Sequence, residues 1–163
     1  IQASMSGGSL VSRGGGKFIA RPASVGNPVT ISVSAKGRKI GEYKFRVRKL
    51  PDPAPYIAMG GDRFKSGALS KAALMSATGI HAAIDDGLLD IPFSVTSFRT
   101  VFFDNMGNAV PLASNGAQFS AQQKEQFRHL SRNKRFYITN VVVHGPDGTT
   151  RTLNGRNMEV IVQ

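Results

Sequence analysis

The sequence predicts a mainly β protein in two modules: a β-sandwich region, a proline-rich joint, and a second β-rich body with two short helices. Three observations predict it. Apolar and polar residues alternate with a period of two in several separate stretches, only two short segments carry helix-start signals, and a proline run divides two regions of different charge. With 163 residues, 40% of them hydrophobic, the chain has apolar matter for a real core.

Charge marks the division. The net charge is +11, but residues 1–50 hold ten Lys/Arg against the single acid Glu42, whereas residues 51–163 hold eleven against nine. The boundary falls at Pro51, Pro53 and Pro55. No run approaches the ~18 consecutive apolar residues of a membrane span, so any leader or anchor is expected upstream of Ile1. The absence of cysteine removes disulfides, zinc fingers and thiol nucleophiles together.

Taken in order, the glycine- and serine-rich opening reads as a turn-rich surface ribbon, and strand pattern begins at Lys17 with Phe18 and Ala20. Val29, Ile31 and Val33 alternate with polar partners. Ala35–Lys36–Gly37–Arg38 supplies a turn, after which Tyr43, Phe45 and Val47 point one way and Lys44, Arg46 and Arg48 the other. Residues 28–48 are therefore expected to form a hairpin with an apolar face and a wet, basic face. Fifty residues with about three strands make too thin a layer to bury that apolar face alone. The expectation is a sandwich whose earlier strands precede Ile1.

Each residue before a proline is pushed toward extended geometry. Leu50, Pro51, Asp52, Pro53 and Pro55 are thus expected to act as a stiff hinge element, with residues 51–55 as linker between a first body (1–50) and a second (56–163). In the second body, Ser70 is a candidate N-cap for a helix from Lys71 to Ala77 closed by Gly79. Ile80, Ala82 and Ile84 lead into an Asp85–Asp86–Gly87 turn. Ile91 to Phe103 is a long β segment broken by Pro92, Asn105–Asn108 turns the chain, and Val110 and Leu112 carry a return strand. Ser120 to Gln123 fits a capping box for a helix running to about Leu130. Phe136, Ile138 and Val141–Val143 read as a buried strand, Gly145–Arg151 as a turn, and Met158, Val160 and Val162 as a last strand.

Little of this suggests catalysis. His81, His129 and His144 stand outside any metal-ligand spacing and read as surface or structural histidines. Asp85 and Asp86 are adjacent and read as turn residues, because neighbouring strand residues point to opposite faces. Gly14–Gly15–Gly16–Lys17 fails as a phosphate loop: Val11 stands at its first glycine position and Phe18 at the required Ser/Thr. No cofactor is expected. A basic binding module for nucleic acid or acidic polysaccharide is the alternative reading. Single-strand binders put rings and cations on one face, whereas Tyr43 and Phe45 lie opposite Lys44, Arg46 and Arg48, so nucleic acid is not expected as a partner. A hydrolase of unrecognised type is a third reading, without convergent polar groups to support it.

Five strings, GEYKFRVRKLPDP (41–53), GALSKAAL (67–74), FSVTSF (93–98), SNGAQFSAQQKEQF (114–127) and VHGPDGTTRTL (143–153), together resemble the C-terminal region of the GldM/PorM family of gliding motility and type IX secretion, on the PorM side. The resemblance implies immunoglobulin-like or related sandwiches in the periplasmic part of an inner-membrane protein. Residues 1–50 would then end a penultimate domain and 56–163 form the terminal one. It also implies a homodimeric shaft, a small multi-span motor partner at the inner membrane, met through a region absent from this sequence, and outer-membrane-associated lipoprotein and periplasmic ring subunits at the tip. Turns projecting from a rigid scaffold often carry recognition. Asn105, Met106, Asn108, Arg132, Lys134, Arg135, Asp147 and Arg151 are accordingly the expected partner-binding residues.

Overall fold

The computed structural model describes all residues, Ile1–Gln163, and divides into two compact units, Ile1–Leu50 and Pro51–Gln163. The first contains β1 (Gln2–Ser6), β2 (Gly8–Gly14), β3 (Lys17–Pro22), β4 (Val29–Ala35) and β5 (Arg38–Phe45). β1, β4 and β5 form an antiparallel sheet in that order, and β2 and β3 a separate hairpin. The turn expected at 35–38 closes the β4–β5 hairpin: Ala35 pairs with Arg38, and Lys36 and Gly37 both take positive φ, as tight two-residue hairpin loops require. The opening residues depart from expectation, since they are two strands instead of a turn-rich ribbon. Alternation there runs through Ala3 and Met5, whose weak hydrophobicity hides the signal.

The first unit buries little. Val29 is its only fully buried apolar side chain, while Tyr43 and Phe45 are 56% and 51% exposed. These fifty residues leave the apolar face of the hairpin largely uncovered, as so thin a layer must. Regular pairing also stops at Phe45, leaving Arg46–Leu50 outside the sheet.

The second unit holds β6 (Ala54–Met59), β7 (Asp62–Phe64), β8 (Gly67–Leu69), α1 (Lys71–Ser76), β9 (His81–Asp85), β10 (Asp90–Phe103), β11 (Ala109–Ser114), α2 (Ala121–His129), β12 (Arg135–His144), β13 (Thr150–Thr152) and β14 (Met158–Val162). The main path of strands runs β7-β6-β9-β10-β12-β14-β8, with β11 on β10 and β13 on β12. β10 is the spine. Its first half pairs with β9 and its second with β11, while β12 follows it from Ser94 to Val101. Pro92 does not break it, because that residue pairs only toward Ala83 and β12 begins beyond it. β8 lies parallel to β14, a long-range pairing that three residues cannot announce in sequence.

Midway, the buried set of β10 changes phase from Phe93 to Phe98, Thr100 and Phe102. That of β12 changes from Phe136 and Ile138 to Val141 and Val143. One register shift falls between Val95 and Ser97 and a second between Ser97 and Arg99, so each strand carries one extra residue; Asn140, with φ +50°, lies within the second. Such bulges bend strands so that they can serve two packed layers.

Both helices are capped as expected. Ser70 accepts from the Ala73 amide, and Ser120 and Gln123 exchange the two bonds of a capping box. Gly79, however, does not terminate α1, which ends at Ala77 in extended geometry. It bridges to Gln118, where a Cβ would meet the Ala117 carbonyl oxygen at 2.2 Å. Glycine is there for close backbone approach. Lys71 at the start of α1 donates to the Arg128 and Leu130 carbonyls (2.7 and 2.9 Å), joining it to the end of α2. Below lies an aromatic core: Phe127 is in ring contact with Phe102, Phe119 and Phe136 at centroid distances of 4.9–5.9 Å.

Residues 51–55 are not a free-standing linker. Pro53 and Pro55 are buried, and Ala54 and Pro55 already belong to β6, opposite Ala83 and Ala82. Proline is tolerated because β7 joins β6 only from Ile57, so the strand has one neighbour over 54–56. The prolines thus open the second unit.

Candidate partner-binding surfaces

β10 sorts the expected recognition loops into two ends. Asp104–Asn108 joins β10 to β11, and Arg132–Arg135 leads into β12. The pairing of Val101 with Tyr137 brings both loops to the same end of the sheet. Asp147–Arg151 follows His144, which pairs with Ser94, and so lies at the other end. Eleven residues separate Pro92 from Phe103, a path of up to about 35 Å at about 3.3 Å per residue. The three loops therefore cannot form one continuous site.

The 104–108 loop is held from within. The Asp104 carboxylate accepts from the amides of Met106 and Asn108 (2.9 and 2.8 Å) and from Asn108 Nδ2 (3.0 Å), and Gly107 takes φ +83°. These bonds, led by the Asn108 side chain, keep Asp104 below the usual carboxylate pKa. A short, rigid turn thus presents Met106, 87% exposed, with Asn105 beside it. Across the same end, the Asn133 amide donates to the Val162 carbonyl (2.7 Å) and the Val162 amide to the Lys134 carbonyl (2.9 Å), fixing the backbone of the basic loop. Arg132 and Lys134 project without an acidic partner, and Arg135 shares Glu159 at 3.6 Å.

The opposite end is arranged inwardly. The Arg151 side chain is 8% exposed and sits 5.5 Å from the Phe93 ring centre. Its guanidinium donates to the Pro51 carbonyl (3.0 Å), Asp52 Oδ1 (3.0 Å), Asp147 Oδ2 (2.8 Å) and Thr149 Oγ1 (3.2 Å). Asp147 also accepts from the Thr149 hydroxyl and amide, and these bonds together with Arg151 lower its pKa. Asp147 and Arg151 thus clamp the first residues of the second unit to the β12–β13 turn. Both side chains are committed to the fold, and Pro51 and Asp52 are held by it.

Asp85 and Asp86 diverge. Asp85 binds Lys65 (2.7 Å) and Arg63 (3.3 Å), its pKa lowered chiefly by Lys65, whereas Asp86 accepts from the Leu88 and Leu89 amides (2.9 and 2.8 Å). An open depression of about 390 Å³ beside them is lined by Arg63, Asp85, Leu88, Leu89 and Asp90, and its charges already pair with one another. The histidines lie on the surface: His81 stacks on Tyr56, His129 meets Glu125, and His144 meets Thr150. Leu88, 91% exposed at the tip of the β9–β10 loop, gives no signal in sequence because two adjacent leucines after a turn fit neither a period of two nor a helical period.

Two family models match this chain. The GldM third domain matches residues 1–48 and the GldM C-terminal domain residues 51–163, the same division that the compact units show. A search of curated proteins found no match. No helix is long and apolar enough to cross a membrane. In this family the C-terminal domains are periplasmic parts of an inner-membrane protein. From its first matched residue to its last, the chain belongs to the GldM family, a component of gliding motility and type IX secretion.

Proposed function

We propose that this chain is a non-enzymatic part of a periplasmic shaft that links the proton-driven inner-membrane motor to the outer-membrane-associated ring. Its second unit would meet the ring subunits through the end of the sheet that carries Asn105–Asn108 and Arg132–Arg135. The observation that supports this end is the meeting of a rigid turn presenting Met106 with a basic loop whose Arg132 and Lys134 have no acidic partner. The Arg151 clamp suits a part that bears load, because it ties the incoming chain to the body of the sheet. A homodimer belongs to the same reading. The first unit, with a single fully buried apolar residue, supports completion by further chain, and light scattering of the purified protein tests it.

The main test is binding of the purified chain to purified ring lipoprotein and periplasmic subunits. Arg132→Glu with Lys134→Glu should abolish retention while the fold, followed by circular dichroism, is kept. Unchanged binding would reject this end of the sheet as the contact, and no binding by the unaltered chain would reject the ring as partner.

A further inference from the structure

The sheet formed by β11, β10, β12 and β14 has one sealed face and one bare face. On the sealed side Phe98, Phe102, Phe136 and Ile138 are at most 1% exposed. On the bare side the register sets Pro111, Val101, Tyr137 and Glu159 in one row across the four strands, and Arg99 lies between Ala113 and Thr139 in the adjoining row. Phe103, two residues beyond Val101, is 46% exposed and packs edge-on against Tyr137, with centroids 6.1 Å apart and planes at 88°. None of these residues is buried.

An antiparallel sheet open to water ordinarily shows polar side chains on its wet face. This one shows Val101, Phe103, Pro111 and Tyr137, and a continuous apolar strip of that kind marks an interaction surface. Its charges are as specific. Arg99 has no acidic partner, and Arg135, on the same face, shares the strip's single carboxylate, Glu159. We infer that the bare face of β10 and β12 is a docking surface for an acidic protein segment that also carries apolar side chains. The apolar groups would cover Val101, Phe103 and Tyr137, and the carboxylates would meet Arg99 and Arg135. This deepens the reading above, on which it rests only in taking the partner to be a protein.

Nucleic acid fits this face less well. Glu159 stands within the strip and repels phosphate, and an edge-on ring pair does not offer the successive flat platforms on which bases stack.

A peptide-display library of random 12-mers, selected on the whole chain and counter-selected on Arg99→Glu, tests the inference without the ring subunits. Enrichment of acidic sequences with aromatic or aliphatic residues is expected. A selected peptide should bind at least about tenfold more weakly to Arg99→Glu and to Tyr137→Ser, and within about twofold of the original to Lys124→Glu, which makes the same charge change on α2. Melting temperatures of these variants should match the parent, which separates lost contact from lost fold. No enrichment, enrichment without acidic bias, or peptides indifferent to Arg99 and Tyr137 would overturn the inference. So would a single-stranded oligo-dT that binds more tightly than the peptides and loses affinity in the same variants. The ring-binding experiment fails or succeeds independently of this one.

Discussion

Replacing Arg151 by methionine keeps most of the apolar stem against Phe93 and removes the charge and its donors. The side chain is nearly enclosed, so the lost hydrogen bonds to Asp147 and the Pro51 carbonyl are not fully replaced by water; bonds of this charged kind contribute about 1.5–3 kcal/mol. Asp52 is 55% exposed and adds little, as solvated ion pairs do, at about 0–0.5 kcal/mol. Loss of the contact with the Phe93 ring adds about 0.5–1 kcal/mol. The sum is a destabilisation of about 2–4.5 kcal/mol, or a fall in Tm of about 10–20 °C for a unit of this size. Calorimetry of the whole chain should show it in the transition assigned to the second unit. A double-mutant cycle sharpens the test: Asp147→Asn should couple to Arg151→Met more strongly than Asp52→Asn does. Equal coupling, or a Tm unchanged by Arg151→Met, would refute the clamp.

Acid should weaken the second unit. Asp85, Asp104 and Asp147 have folded pKa values below the ordinary carboxylate value, so their stabilisation is complete above about pH 4 and lost as pH falls through the folded values. Asp147→Asn should flatten the dependence of Tm on pH below about 4. Gly79→Ala forces a Cβ into the Ala117 carbonyl and should cost about 1–3 kcal/mol, read as a lower urea midpoint with an unchanged slope. Gln123→Leu deprives the Leu112 carbonyl and the Ser120 amide of their partner inside the protein. A loss of about 2–3 kcal/mol is expected, against about 1 kcal/mol for Ser120→Ala, and chemical denaturation of both variants compares them.

Local chemistry was legible and long-range pairing was not. The capping box at Ser120–Gln123 and the Lys36–Gly37 turn rest on residues that act on their own neighbours, so spacing alone reveals them. The mainly β class followed from period-two alternation in β4, β10, β12 and β14, each long enough or apolar enough to show it. β7, β8 and β13 have three residues each and exist only because a partner strand is present. The proline segment misled for a physical reason. Proline fixes the chain's direction but does not reveal whether the segment stands free, and that was decided by Arg151, one hundred residues later. For the candidate surfaces, sequence identified projecting turns correctly as turns. It could not see that two of them share an end of the sheet, or that Arg151 faces inward. The bare face was hidden because the phase change in β10 moves Val101 and Phe103 out of line with Phe93.

That phase change binds two distant codons together. The extra residue in β10 and the extra residue in β12 cancel, so pairing beyond them returns to the step it had before. Deleting the extra residue Thr96 alone would leave every partner past that point displaced by one position, core side chains opposite outward ones. Removing Asn140 as well would bring the ladder back into step, flatter than before, so the double deletion should be tolerated better than either single one. Natural drift in strand length at this place would then occur in compensating pairs.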